Sequence, residues 1–388
     1  MTKRGTVLAV GLTIAVVCYV TPHAQTSQAL FAPALLLDVG PGSGQAVLVD
    51  LDRDGHVDLI TRHLLQRKVS VFLGDGKGGF RAFASGPLTF DYRPGMIAVA
   101  DVNADSLADI AVSSSERDEI DLFLGNGKGA FARAAGAPFA TGDSRQSHTR
   151  GVKLADANRD GHVDIIAFNG LENTFAILFG DGRGRFSQGP ILKRELSSAQ
   201  RRYSFAFGDL DGNGNIDAVI AARDAMAREP GQIAVLWGDA SGTFKERNPP
   251  FTVPTSPHFI SLGDINGDRA LDIVISHGDS GVLTLLVNDG GRFSVAPTSP
   301  LDVGREAYAV LVQDANADKS PDLLVATVDS ATVLLNDGKN RFVPAAGSPF
   351  EATPGAYRIA AGDIDGNGKV DIVMTSFETD RIAIILAR

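Results

Sequence analysis

Residues 50–58 read Asp50-Leu-Asp-Arg-Asp-Gly-His-Val-Asp58, and an apolar segment lies on either side of them. The same nine-residue pattern, here called an Asp loop with positions 1 to 9, occurs seven times in the 388 residues. The first Asp recurs at spacings of 51, 55, 53, 55, 50 and 49 residues. A regular period of this length is typical of a repeat architecture.

The loops carry Asp at positions 1 and 9 and Asp or Asn at positions 3 and 5. These residues are Asp50, Asp52, Asp54 and Asp58; Asp101, Asn103, Asp105 and Asp109; Asp156, Asn158, Asp160 and Asp164; Asp209, Asp211, Asn213 and Asp217; Asp264, Asn266, Asp268 and Asp272; Asp314, Asn316, Asp318 and Asp322; and Asp363, Asp365, Asn367 and Asp371. Clustered carboxylate and amide oxygens suit Ca2+, as in the related EF-hand loop. The alternative is that these side chains only cap turns. We expect several Ca2+ ions, because carboxylates gathered without a cation repel one another.

Position 6 distinguishes the loops, because glycine tolerates backbone conformations that other residues resist. It is glycine in repeats 1, 3, 4 and 7, and it is Ser106, Arg269 and Lys319 in repeats 2, 5 and 6. We therefore expect calcium to bind best in repeats 1, 3, 4 and 7. Asp at the ligand positions accounts for 22 of the 46 acidic residues, so much of the net charge of -10 is explained by metal ligation.

Each repeat also contains four short apolar segments. In the second repeat, residues 96–100, 110–113 and 120–124 are predicted strands. A Gly-rich turn, such as residues 74–80 in the first repeat, leads into a fourth strand that begins with Phe. Four short strands per repeat, seven times over, predict an all-β fold, a seven-bladed β-propeller. The last repeat lacks a fourth strand and residues 30–39 resemble one, so we expect the N-terminal strand to pair with the last blade and close the ring.

The N-terminus is typical of a secretory signal. Lys3 and Arg4 precede an apolar run from Val7 to Val20, and a polar stretch follows. We predict cleavage after Ala24, which gives a signal peptide at 1–24 and one propeller at 25–388, with an uncleaved anchor as the alternative. The mature protein is then expected to be secreted, periplasmic or at the cell surface, without membrane insertion.

Three features together resemble a known family: the D-x-D-x-D-G-x-x-D loops, Phe207-Gly208 before Asp209, and Gly136-Ala137-Pro138 in an outer strand. They are similar to the FG-GAP or VCBS repeats of the seven-bladed propeller of integrin alpha subunits. The resemblance covers essentially all of residues 25–388. It implies calcium in the loops between each blade's first and second strands, on one face, with ligands bound on the other. Similar repeats occur in fungal lectins with sugar pockets between blades.

The opposite face is where the chain enters each first strand. Six residues before each first Asp lie the seven residues that we call the collar: Gly44, Gly95, Arg150, Tyr203, His258, Tyr308 and Tyr357. We interpret the last five as a site that binds an anionic or polyhydroxylated ligand through arginine forks and ring stacking. The basic residues nearby are Arg93, His148, Arg201, Arg202, Arg305 and Arg358. The alternative is that these amphipathic side chains only cover apolar strand ends.

The acidic net charge argues against nucleic-acid binding, which needs a basic surface. The sequence contains no H-E-x-x-H, C-x-x-C or nucleophile-elbow motif, and the glycines at 74, 76 and 79 lie within a hairpin rather than before a helix. We expect no catalytic residues and a monomeric binding or adhesion module for glycans or extracellular proteins. The alternatives are a polysaccharide lyase or hydratase that uses Tyr, His and Arg of the collar, and a purely structural surface protein.

Overall fold

The structure, a computed structural model, describes residues 29–142, 149–170, 174–193, 200–224 and 230–388. Within these ranges the chain forms 33 strands in seven antiparallel sheets. Each sheet is a blade and contains one Asp loop, so we number the blades by their loops. The predicted seven-bladed β-propeller is therefore confirmed. The predicted signal peptide at 1–24 lies outside the described residues.

The strand bounds follow the repeat pattern. β1 (Leu35–Asp38) belongs to blade 7. Blades 1 and 2 contain β2 (Ser43–Val49), β3 (Asp58–His63), β4 (Lys68–Gly74), β5 (Phe80–Ala82), β6 (Leu88–Thr89), β7 (Pro94–Ala100), β8 (Asp109–Ser114), β9 (Glu119–Gly125), β10 (Phe131–Arg133) and β11 (Phe139–Ala140). Blades 3 and 4 contain β12 (Thr149–Ala155), β13 (Asp164–Asn169), β14 (Thr174–Gly180), β15 (Phe186–Lys193), β16 (Gln200–Gly208), β17 (Asp217–Asp224), β18 (Gly231–Gly238), β19 (Phe244–Glu246) and β20 (Phe251–Val253).

The remaining strands complete blades 5 to 7. They are β21 (Pro257–Gly263), β22 (Asp272–His277), β23 (Val282–Asp289), β24 (Arg292–Val295), β25 (Leu301–Asp302), β26 (Ala307–Gln313), β27 (Asp322–Thr327), β28 (Ser330–Asn336), β29 (Phe342–Pro344), β30 (Phe350–Glu351), β31 (Ala356–Gly362), β32 (Asp371–Ser376) and β33 (Arg381–Ile385). Over the described ranges, no helix has the length and hydrophobicity needed to cross a membrane.

The first strand of each blade lies innermost, next to the first strands of neighbouring blades, and the later strands follow outward. The outer edge of a blade differs from the prediction, which was a single fourth strand. In blade 2 it consists of two short pieces, β10 and β11, which both pair with β9. Between them lies Gly136-Ala137-Pro138, with a cis peptide bond before the proline. Because proline offers no N–H to the ladder, the outer strand is interrupted there.

The second strand of a blade is covered on both faces. In β8, Asp109-Ile-Ala-Val-Ser-Ser114, all six residues are buried. A strand between two neighbouring sheets buries consecutive residues, so it does not show the alternation of a half-exposed strand. Among the described residues, the buried apolar side chains form seven clusters, one at each junction between neighbouring blades. The hydrophobic core is therefore a ring of seven contacts between blades.

The ring closes between the two ends of the chain. β1 pairs antiparallel with β33, placing Leu36 opposite Ala383. Phe31 forms a further bridge with Ala387 and is almost completely buried, with its ring edge-on to Phe350 at 5.0 Å between centroids. The predicted closure by the N-terminal strand is confirmed.

The end of the third strand meets the Asp loop very closely. A Cβ placed on Gly74 would lie 2.1 Å from the carbonyl oxygen of Val57, and the glycines at the same place in blades 2, 3 and 4 are equally confined. In blade 6 the matching residue is Asn336, whose Nδ2 donates to the carbonyls of Pro321 at 3.0 Å and of Ile265 in blade 5 at 2.8 Å. Asparagine thus replaces glycine where its amide can bond the crowding carbonyl.

Candidate functional site

Asp at position 9 begins each second strand and is fully buried. The Oδ2 of Asp58 accepts the Leu51 N–H at 2.8 Å, and its Oδ1 accepts the Gly74 N–H at 2.8 Å. The other six position-9 carboxylates accept the two corresponding backbone N–H groups at 2.7 to 2.9 Å. This residue therefore ties the loop to the third strand, a role that the sequence interpretation did not separate from metal ligation.

Burial raises the pKa of these carboxyl groups, although their two backbone hydrogen bonds lower it. The pKa reaches about 6 in Asp109, Asp272 and Asp322. Neighbouring Asp side chains at positions 1 and 5 raise it further. A cation held in the loop would favour the ionised form instead.

Asp at position 1 organises the rest of the loop. In blade 4, the two carboxylate oxygens of Asp209 accept the N–H groups of Asn213 at 3.1 Å and Gly214 at 2.8 Å. Position 6 has a positive φ in loops with and without glycine, because Ser106 (65°) and Lys319 (72°) adopt it as well. The loops thus share one backbone conformation, and glycine at position 6 is not required to form it.

Positions 3 and 5 divide the loops into two kinds. In loops 2, 3, 5 and 6, Asn at position 3 donates from Nδ2 to the Asp at position 5, as from Asn158 to Asp160 at 2.9 Å. In loops 1, 4 and 7, position 3 is Asp. Among the described residues, three groups of three carboxylates converge to within 4.8 Å, and they lie in these three loops: Asp50, Asp52 and Asp54; Asp209, Asp211 and Asp217; and Asp363, Asp365 and Asp371.

Three of the four loops expected to bind calcium best, loops 1, 4 and 7, contain these groups of carboxylates. Loops 1, 4 and 7 bring three carboxylate oxygens together, whereas loop 3 satisfies Asp160 with the amide of Asn158. The residue type at position 3, visible in the sequence, is the signal that distinguishes the two kinds. All seven loops connect a first strand to a second strand.

The collar residues share one structural feature, a β-bulge. In all seven blades the register between the first and second strands shifts by one residue at the collar position. In blade 6, for example, Ala307 pairs with Thr327 and Ala309 with Ala326, so Tyr308 is the extra residue. Bulges re-aim side chains and are common beside binding sites. The side chains of Arg150 and Tyr203 lie outside the described residues.

The structure brings His258, Tyr308 and Tyr357 together. They line a cavity of about 460 Å³ across blades 5 to 7. The His258 Nδ1–H donates to the carbonyl of Tyr308 at 2.6 Å, and the Tyr308 hydroxyl donates to Glu306. That hydrogen bond raises the pKa of Tyr308 to about 12.

Three further acidic or aromatic residues of this cavity were not predicted: Glu306, Phe377 and Glu378. The ring of Phe377 stacks on Tyr357 with centroids 4.0 Å apart and planes 19° apart, yet it is 46% exposed. Phe377 and Glu378 directly follow a second strand. The connection between the second and third strands lies at the end of the blade opposite the Asp loop, which is the collar face. The order of the strands in the sequence would therefore have identified these residues.

Seven blades, each with an acidic loop between its first and second strands, define a β-propeller built from acidic-loop repeats. The family model described as FG-GAP-like repeat matches residues 50–112, 101–167, 156–220, 264–325 and 314–374. The chain belongs to the FG-GAP-like repeat family, so the predicted resemblance to FG-GAP repeats is confirmed.

Related proteins are found among curated sequences. Cartilage acidic protein 1 of Mus musculus is 27% identical over 265 residues, which cover 66% of this chain and 37% of that protein. The protein of the same name in Homo sapiens is 29% identical over 205 residues, covering 50% of this chain and 30% of that protein. The chain thus spans about a third of the length of these relatives.

Solved structures share the fold. A structure of BBS1N in complex with ARL6DN has a TM-score of 0.62 at 12% identity and covers 93% of this chain and 98% of that chain. An Agrocybe aegerita lectin that recognises non-reducing terminal N-acetylglucosamine has a TM-score of 0.57 at 19% identity, with 87% and 86% coverage.

Proposed function

We propose that the protein is a secreted, calcium-binding propeller that uses its collar face to bind glycans or extracellular proteins. In this proposal residues 1–24 are a signal peptide and residues 25–388 form a monomeric propeller. The observation that carries the ligand assignment is the collar cavity, with its partly exposed stack of Phe377 on Tyr357.

The chemistry of this cavity suits a polyhydroxylated ligand. An aromatic face offers a flat apolar surface for a sugar ring, and the carboxylates of Glu306 and Glu378 are acceptors for its hydroxyl groups. Two carboxylates in the same cavity disfavour an acidic ligand there. The similarity in fold to a lectin that recognises N-acetylglucosamine is in keeping with this choice.

The geometry supports binding rather than the lyase or hydratase alternative. A tyrosine that removes a proton needs a pKa near the working pH, whereas the pKa of Tyr308 is raised. Its hydroxyl already donates to Glu306, and the Nδ1–H of His258 is committed to a backbone carbonyl.

Calcium is proposed to stabilise the propeller through the Asp loops. The carboxylate groups of loops 1, 4 and 7 match the oxygen ligands that Ca2+ prefers, and each oxygen that accepts one N–H keeps a second lone pair. Bound calcium would neutralise the converging charges at the face opposite the collar.

A glycan array in millimolar calcium, repeated in chelator, tests the ligand. Phe377→Ala should abolish the selective signal, because it removes the exposed half of the aromatic stack. Val343→Ala is the matched control: Val343 is 58% exposed on the outer strand β29, so its variant should bind like the wild type. No signal from the wild type on any glycan would refute the glycan assignment and direct the search to protein partners.

Calcium itself is tested by titration calorimetry and thermal melting. Calcium should raise the melting temperature and magnesium should not, because a ligand bound only by the native state stabilises it by mass action. A melting temperature that is the same in calcium and in chelator would contradict the metal assignment, whatever the array shows.

A further inference from the structure

A second cavity lies on the axis of the ring, and the collar residue Gly95 is part of its lining. It measures about 180 Å³ and is lined by residues from blades 1, 2, 4, 5 and 7, including Arg62, Ser115, Ser204 and Arg358. Residues from blades on opposite sides of a propeller meet only in its central channel. The cavity is therefore part of that channel.

Both arginines are exceptions to the repeat pattern. Arg62 lies four residues after Asp58, where the other six repeats have the uncharged residues Ser113, Phe168, Ala221, Ser276, Ala326 and Thr375. Arg358 lies five residues before Asp363, where the other six repeats have Gln45, Met96, Gly151, Ser204, Phe259 and Ala309. Two charged exceptions at different repeat positions thus meet in one cavity.

Arg62 reaches the channel because the collar residue of its own blade is glycine. A Cβ on Gly44 would lie 2.9 Å from the guanidinium carbon of Arg62, so any larger residue would displace this side chain. Arg62 is 8% exposed, and its Nη1–H donates to the carbonyl of Pro94 at 3.3 Å. Its Nε is buried without a hydrogen-bond partner among the described residues.

Arg358 enters from blade 7. Its guanidinium carbon lies 5.1 Å from the ring centroid of Phe259 and 5.8 Å from that of Tyr357, which are cation–π distances. Its Nε is likewise buried without a partner in the described part of the chain. The two aromatic rings hold the guanidinium in place but do not neutralise it.

The charges of the two arginines are not balanced nearby. The residues that line this cavity include no Asp or Glu. Burial lowers the pKa of both guanidinium groups, and the charge of Arg358 lowers that of Arg62 further. Arg62 is buried and Arg358 is half-buried. A charge held away from water without a partner is unfavourable, so such charges are normally paired.

We propose that this channel cavity binds a small oxyanion, such as sulfate or a carboxylate, between Arg62 and Arg358. Guanidinium groups form strong, charge-assisted hydrogen bonds to such anions. Ser204 supports the site, because its Oγ accepts the Ile260 N–H at 3.0 Å and its own O–H remains able to donate. Pockets for larger ligands measure roughly 300 Å³ or more, so a cavity of this size suits a small anion. The inference does not depend on the collar ligand.

The test is titration calorimetry of the protein comprising residues 25–388 with sulfate, and separately with acetate. Chloride keeps the ionic strength constant. Saturable binding is expected, and Arg62→Gln and Arg358→Gln should each weaken it by about tenfold or more. Arg81→Gln is the matched control, because Arg81 is exposed on β5 and lies outside the cavity. If sulfate binds and acetate does not, the site is assigned to a tetrahedral oxyanion. If acetate binds and sulfate does not, it is assigned to a carboxylate.

Two results would overturn the proposal. One is a wild type that shows no saturable binding of either anion, which decides the question even if a variant fails to fold. The other is unchanged affinity in both folded arginine variants. Phe377→Ala should keep the wild-type anion affinity, which separates this site from the collar cavity.

Discussion

Asp58 should stabilise the fold even when no metal is bound. Asp58→Ala leaves the buried N–H groups of Leu51 and Gly74 without acceptors. Each unsatisfied buried group costs about 1–3 kcal/mol, so the free energy of unfolding should fall by about 2–6 kcal/mol in chelator. Asp58→Asn keeps one acceptor oxygen, so its loss should be about 1–3 kcal/mol.

Asp52→Asn is the matched control in the same loop. The Oδ1 of Asp52 accepts the Asp54 N–H at 3.3 Å, which an Asn oxygen can also do, and Asn stands at this position in loops 2, 3, 5 and 6. In chelator its stability should therefore stay within about 0.5 kcal/mol of the wild type. In calcium it should lose part of the metal-induced stabilisation, because one ligand charge is gone.

Urea unfolding measures these differences, followed by circular dichroism and by the fluorescence of Trp237, the single tryptophan, which is 3% exposed. An Asp58→Ala variant as stable as the wild type in chelator would contradict this role of Asp58. So would an Asp52→Asn variant destabilised as much as Asp58→Ala under those conditions.

Three other predictions concern different parts of the fold. Gly74→Ala should destabilise the protein more than Gly74→Asn, since the amide can donate to the crowding carbonyl as Asn336 does; the reverse order in urea unfolding would contradict this. Burial lowers the pKa of His63 to about 4. As the pH falls from 6.5 towards 4, the unfolded chain therefore binds a proton that the native state does not bind, and the free energy of unfolding falls in that window. His63→Asn should remove up to about 3 kcal/mol of this dependence, measured by urea unfolding at neutral and acidic pH, and an unchanged slope would refute it. Deleting residues 25–39 should lower the melting temperature and produce oligomers on size-exclusion chromatography, because β33 becomes an exposed edge; a stable monomer would argue against closure by β1.

The repeat pattern predicts the blades well because each blade is a local unit. The predicted segment 110–113 lies within β8, and residues 120–124 lie within β9. The ring closure was also predictable, since a fourth strand missing at one end and present at the other leaves a single way to complete the last blade. These inferences need only the order of the elements along the chain.

The features that were not predicted arise from contacts between distant residues. Arg62 lies on β3, but its entry into the channel depends on Gly44 and on residues of blades 2, 4, 5 and 7. The double hydrogen bond of Asp58 depends on Gly74, which lies at the end of the following strand, β4. The position-9 aspartates were therefore identified as ligands by residue type, whereas their role as acceptors for two strands emerges only from the fold.

The pairing of β1 with β33 also affects when the protein can finish folding. Leu36 and Ala383 are neighbours across this ladder although almost the whole chain separates them. Blades 1 to 6 can form in order as the chain emerges during synthesis, but blade 7 must wait for residues 381–385. Until then, residues 35–38 have no partner strand, so the emerging chain carries an unpaired strand throughout the synthesis of blades 1 to 6.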